Sequence, residues 1–146
     1  MDIKIRPYQD TDYKQLRRLL VESDLYYEKI DSKERISNKV GNDKNSVLVA
    51  FDGKKLIGSV FILDDRGWLS FVFHLAVAQA YRGMGIGSRL LSEAEKLIKS
   101  RGGHEVYLLI DTENIEVAEF YKKNGYKESG LYRWMGKDIN PETGNP

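Results

Sequence analysis

The chain has no cysteine among its 146 residues. Disulfides, thiolate metal ligands and a cysteine nucleophile are therefore excluded, and an intracellular compartment is compatible with that composition. It also lacks a charge excess: 23 Lys and Arg stand against 22 Asp and Glu, a formal net charge of +1. The two signs are interspersed, the pattern of an ordinary solvated surface, so no stripe for nucleic acid or a membrane surface is expected. Long apolar runs are missing too. No stretch approaches the length needed to span a bilayer, and the opening Met1-Asp2-Ile3-Lys4-Ile5 alternates like a strand where a signal peptide would carry an apolar block. These absences point to a soluble, cytoplasmic protein. His74 and His104 are far apart in sequence with no ligand cluster around either, so no metal is expected.

What is present reads as one α/β domain over residues 1–139, with residues 140–146 as a flexible tail without apolar periodicity. Residues 3–6 form a strand ended by Pro7. Asp10, Thr11 and Asp12 then offer caps for a helix carrying Tyr13, Leu16, Leu19 and Leu20 on one face. The segment 22–45 is polar, with a short helix expected over 32–40. Strands over 47–51 and 56–63 flank Asp52-Gly53-Lys54-Lys55, a hairpin signal. Residues 68–77 are apolar on both alternating faces, interrupted by His74, as in the central strand of a sheet. Ile86, Leu90, Leu91, Ala94, Leu97 and Ile98 repeat at helical spacing until Gly102-Gly103. A strand over 105–110, a helix capped by Asn114 and stopped by Gly125, and short strands over 126–128 and 132–137 complete the count. The expected fold is a mixed, mostly antiparallel sheet with helices on both faces.

Arg82-Gly83-Met84-Gly85-Ile86-Gly87-Ser88 sits between the expected central strand and an amphipathic helix. There, backbone N–H groups can converge on an anion such as a pyrophosphate without side chains in the way. A P-loop needs Gly-Lys-Ser/Thr, and here Gly87 is followed by Ser88-Arg89, so that reading fails. A dinucleotide fold wants its first glycine directly at the strand end, whereas 78–82 intervene, although Asp111 offers a ribose-binding acid. A bland reading also stands, in which the glycines only let a helix pack closely on a sheet.

Context separates these readings. The run Leu75-Ala76-Val77-Ala78-Gln79-Ala80-Tyr81-Arg82-Gly83-Met84-Gly85-Ile86-Gly87-Ser88 resembles the acetyl-CoA signature of the GNAT superfamily of N-acetyltransferases, with Arg82, Gly85 and Gly87 at its defining positions. A second run, from Asn114 through Ala118, Phe120 and Tyr121 to Gly125-Tyr126, resembles that family's Asn…Ala-x-x-Phe-Tyr-x-x-x-Gly helix. The resemblance is densest over 71–126 and implies a single-domain GNAT-like fold. It further implies that the amides of Arg82, Gly83, Met84, Gly85, Ile86, Gly87 and Ser88 hold the CoA pyrophosphate. The main chain of Leu75, Ala76 and Val77 would pair with the pantetheine arm, the Val77 N–H would polarise the thioester, and Asn114 would contact the CoA arm. Tyr121 would protonate the departing thiolate. Asn114 also reads as a simple helix cap, and Tyr121 as core packing.

The base departs from the family pattern: where relatives often carry Glu or Asp, this chain has Phe73 and His74. His74 is expected either as general base, with an ordinary pKa of about 6.5 for its type, or as a satisfied histidine in a crowded strand. A water chain is a third route. Glu22, Tyr26 and Tyr27, with Asp24, Glu28 and Asp31 nearby, form a segment of acids and rings suited to a cationic amine, so they are the expected acceptor-binding residues. Acetyl-CoA is the expected cosubstrate, and a small-molecule or peptide amine the expected acceptor. The family fold also allows a homodimer. Three rival functions remain: an acyl-CoA sensor without transfer, a transferase using another acyl donor, and a nucleotide-binding oxidoreductase.

Overall fold

In the computed structural model, which describes residues 1–140, the opening alternation becomes strand β1 (Ile3–Pro7). The tail expected over 140–146 lies, from residue 141 on, outside the described residues. The chain divides into two compact units, Met1–Leu109 and Ile110–Pro146.

In the first unit β1 is followed by α1 (Tyr13–Glu22), a single turn α2 (Glu28–Asp31), α3 (Lys33–Asn42), the strands β2 (Val47–Asp52), β3 (Lys55–Asp64) and β4 (Ser70–Val77), and α4 (Ile86–Ser100). The short helix expected after residue 32 is present as α3, begun by the Ser32 hydroxyl accepting from the Arg35 N–H at 3.2 Å. The one-turn α2 ahead of it carries no sequence signal. The four strands pair antiparallel in the order β1-β2-β3-β4, and Asp52 pairs with Lys55 across the expected hairpin.

Strand alternation assigns the two faces. Val47, Val49 and Phe51 of β2 pack with Leu16, Leu19 and Leu20 of α1 and Ile36 of α3. Fully burying each of these leucines is worth about 1.5–3 kcal/mol. The opposite face meets α4 at Gly58, where an added Cβ would stand 2.9 Å from the Leu90 Cδ1, 3.3 Å from the Ala76 carbonyl oxygen and 3.4 Å from the Ala50 Cβ. A side chain at 58 would therefore have to displace the Leu90 side chain of α4. Because Leu90 is fully buried, Gly58→Val is expected to lower stability by about 1–3 kcal/mol, read as a lower urea midpoint at unchanged slope. An unchanged midpoint would show that α4 is free to shift.

Three expectations change. The strand read as central, 68–77, forms β4, which is last in the ladder. The strand expected over 105–110 reduces to one parallel bridge, Tyr107 with Phe71, closed by Tyr107 N–H to Ser70 O (2.9 Å) and Val72 N–H to Tyr107 O (3.0 Å). Beyond Val72 the outer edge of β4 has no ladder among the described residues. β4 is apolar on both faces because helices cover them, which mimics a central strand in sequence.

The second unit, by itself, is α5 (Ile115–Lys123) with its flanks. The strands expected over 126–128 and 132–137 are absent. Tyr132, Trp134 and Met135 are 82–85% exposed, so neither alternating face of that run is buried and nothing fixes it as a strand.

Candidate active site

β4 is irregular where it matters. Ser59 pairs with Ala76 and Phe61 with Phe73, so two steps along β3 oppose three along β4. The extra residue is a β-bulge, and His74 there takes the left-handed conformation, φ 48°. The Ser59 hydroxyl secures the bulge by donating to the His74 carbonyl at 2.9 Å. Past it, the Ala78 N–H donates to the Ile57 carbonyl (2.8 Å). In an antiparallel ladder the neighbouring residue then turns both backbone groups outward. The Val77 N–H therefore faces the open edge, and the Val77 carbonyl accepts from Arg82 Nε at 2.9 Å.

That edge runs into the glycine turn. A short turn, Gln79–Tyr81, leads in, fixed by the Tyr81 hydroxyl donating to Asp52 at 2.6 Å. Gly85 is the N-cap of α4 at φ 80° and provides no side-chain cap. The first helical bond described there is Arg89 N–H to Gly85 O, 3.0 Å. The amides of Ile86, Gly87 and Ser88 thus lack intrahelical acceptors at the positive end of the helix dipole. Arg82, Gly83, Met84 and Gly85 are exposed around them. The residues predicted to hold a pyrophosphate, and Leu75, Ala76 and Val77, are contiguous along this path.

The His74 side chain leaves the bulge toward α2. Its Nε2 lies 3.0 Å and 2.9 Å from the two carboxylate oxygens of Asp31, and its ring meets Phe61 edge-on at 4.9 Å and Phe73 at 5.2 Å. Asp31, expected among the acids that face a cationic amine, is instead 1% exposed and turned inward. A second acceptor bond, from the Tyr27 N–H (2.9 Å), ties it to the start of α2. The Tyr13 hydroxyl donates to the Asp31 carbonyl (2.9 Å) and meets the Tyr26 hydroxyl at 3.2 Å. Tyr26 in turn donates to Glu28. Burial, and then these bonds to Glu28 and Tyr13, push the Tyr26 phenol well above its usual range. Tyr27 is half exposed, at 51%, and Glu22 ends α1 on the surface. The sequence carries no sign that Asp31 and His74 meet.

In the second unit, Asn114 caps α5 by accepting from the Val117 N–H at 3.3 Å, the simpler of its two predicted roles. Tyr121 is 8% exposed. The helix ends in a Schellman turn, with Tyr126 N–H to Tyr121 O (3.0 Å) and Gly125 N–H to Lys122 O (3.1 Å). The Tyr126 ring thereby packs on the Tyr121 ring at 5.5 Å. This fixes the Tyr121 side chain, whose hydroxyl has no hydrogen-bond partner among the described residues. Burial pushes its pKa up to about 12. No group of His, Asp and Glu able to hold a metal occurs among the described residues, and no helix among them is long and apolar enough to cross a membrane.

In this α/β fold an open sheet edge runs into the uncapped N-terminus of α4. Comparison with known proteins makes the class specific. The profile of the Acetyltransferase (GNAT) family matches residues 13–126. An acetyltransferase of Sodalis glossinidius is 28% identical over 137 residues, spanning 94% of this chain and 96% of the relative. N-alpha-acetyltransferase 30 of Schizosaccharomyces pombe is 31% identical over 94 residues, 59% of this chain and 61% of its own length. The solved PaiA N-acetyltransferase of Thermoplasma acidophilum, in complex with coenzyme A, aligns with a TM-score of 0.75 at 27% identity, covering 87% of this chain and 91% of that one. The chain belongs to the GNAT acetyltransferase family, and is an acetyl-CoA-dependent N-acetyltransferase.

Proposed function

We propose that the chain acetylates a primary amine by direct attack on acetyl-CoA. The amides from Arg82 to Ser88 hold the pyrophosphate and the outer edge at Leu75, Ala76 and Val77 takes the pantetheine arm. The observation that carries this reading is the open stretch of β4 after the Tyr107 bridge, leading directly to the uncapped start of α4. The outward Val77 N–H donates to the thioester oxygen as negative charge develops on it. His74 takes the proton from the amine nitrogen, the N–C bond forms, the C–S bond breaks, and Tyr121 gives its proton to the sulfur. The proton on His74 then returns to the Tyr121 phenolate through solvent, so one amine and one thioester give one amide and one thiol. Asn114 contacts the CoA arm as well as capping its helix.

Glu22, Tyr26 and Tyr27 form the acceptor side. Carboxylates beside ring faces favour a small cationic amine, whereas similarity to an N-alpha-acetyltransferase favours a peptide N-terminus. Release of free thiol from acetyl-CoA, measured across polyamines, aminoglycosides, amino acids and short peptides, tests the proposal. Release with at least one amine is expected. Binding of acetyl-CoA without release on any of them would overturn this choice of acceptors.

A further inference from the structure

We propose that Asp31 is the positioning residue for His74: its buried carboxylate holds the Nε2–H tautomer and leaves Nδ1 as the unprotonated nitrogen that accepts the amine proton. This rests on His74 being the base. An ionised carboxylate only accepts hydrogen bonds, so an imidazole nitrogen 2.9 Å from it must carry the proton. Nδ1 has no hydrogen-bond partner among the described residues, and a neutral ring with Nε2 protonated has its lone pair there. When Nδ1 gains a proton, the resulting imidazolium already faces a negative charge, which favours the transfer step.

The surroundings hold this arrangement rigid. His74 cannot swing away, because its backbone is fixed by the bulge and the Ser59 bond and its ring by Phe61 and Phe73. Asp31 cannot swing either, being 1% exposed and bonded to the Tyr27 N–H. Other ionisable groups stand outside this pair. Lys39 lies over the Phe73 ring at 5.3 Å, Tyr13 donates to the Asp31 backbone, and Tyr26 and Glu28 lie beyond Tyr13. Asp31 is also the link between the base and the acceptor segment, since Tyr27 belongs to the proposed amine site. Order in α2 therefore sets the base.

The chain has two histidines, so ¹⁵N imidazole spectra are readily assigned, His74→Asn deleting one set. Spectra of the wild type, taken as pH rises until the neutral rings dominate, are expected to show His74 protonated at Nε2 and bare at Nδ1. A wild-type ring protonated at Nδ1 overturns the proposal whatever the activity. Asp31→Asn offers an amide donor to Nε2 and is expected to move the proton to Nδ1. In that variant kcat falls by about 10²-fold or more, with the KM for acetyl-CoA within about twofold of wild type, as expected for a base held in the wrong tautomer. Asp31→Asn with wild-type kcat, beside an inactive His74→Asn, overturns the role of Asp31 alone. Wild-type kcat in both variants overturns the base assignment with it.

Discussion

Replacing His74 with asparagine is expected to lower kcat by about 10²–10⁴-fold, the usual worth of a positioned general base, while acetyl-CoA binding is little changed. Asparagine is the informative substitution. It tolerates the left-handed backbone that residue 74 adopts at φ 48°, where alanine would add strain. Its amide can still donate to Asp31, so the buried carboxylate keeps a partner and the fold keeps its bulge. What disappears is the imidazole nitrogen that accepts the amine proton in the proposed step, which an amide nitrogen cannot do. A kcat within about threefold of wild type would mean that water carries the amine proton away, and that His74 is the satisfied histidine of a crowded strand.

Tyr121→Phe is expected to cost about 10²-fold in kcat, at the low end for loss of a general acid. Stability should change by less than about 0.5 kcal/mol, because the hydroxyl has no hydrogen-bond partner among the described residues to abandon and the ring contacts with Phe120 and Tyr126 survive. The pH profile separates the roles further. Burial raises the Tyr121 pKa to about 12; the phenol is the protonated form below that value, so the donor stays armed across the ordinary assay range. The acid group therefore predicts no loss of rate on the alkaline side until pH approaches about 12. Proton transfer from so weak an acid to a thiolate of ordinary pKa, about 8.5, is uphill. It becomes feasible when the sulfur departs in a setting shielded from water, which strengthens the thiolate as a base. Unchanged kcat in Tyr121→Phe would return this residue to packing.

Much of the fold is legible in the amino-acid sequence alone, and so is the resemblance to the family that its glycine turn carries. The hairpin at Asp52-Gly53, the helical repeat from Ile86 to Ile98 and the glycine turn are local patterns, and local hydrogen bonding and periodicity determine them. The order of β1, α1, α3, β2, β3, β4, α4 and α5 follows from the same signals, whereas the single turn α2 has none and the strand expected over 105–110 is only a bridge. What the sequence conceals is non-local. β4 reads as central because both its faces are covered, but a strand's place in a sheet depends on its hydrogen-bonding edges, which side-chain pattern does not record. Residues 132–137 alternate like a strand, yet alternation is fixed only when a face is buried, and Tyr132 and Trp134 are exposed. Asp31 reads as one more acid in a polar segment. Its pairing with a residue 43 positions away has no local sign.

Calorimetric titration of acetyl-CoA into the wild type and into Gly85→Trp tests whether the turn before α4 holds the pyrophosphate. At position 85 a Cβ meets nothing within 4 Å, so an indole there does not crowd the core. The left-handed φ of 80° costs roughly 1–2 kcal/mol in a non-glycine residue, which a folded domain survives. The indole would, however, stand over the amides of Ile86, Gly87 and Ser88. Binding by the wild type and loss of about 100-fold or more in affinity in the variant are predicted. A wild type that binds no acyl-CoA, or a variant that binds as well as wild type, would contradict the assignment of this turn to the pyrophosphate.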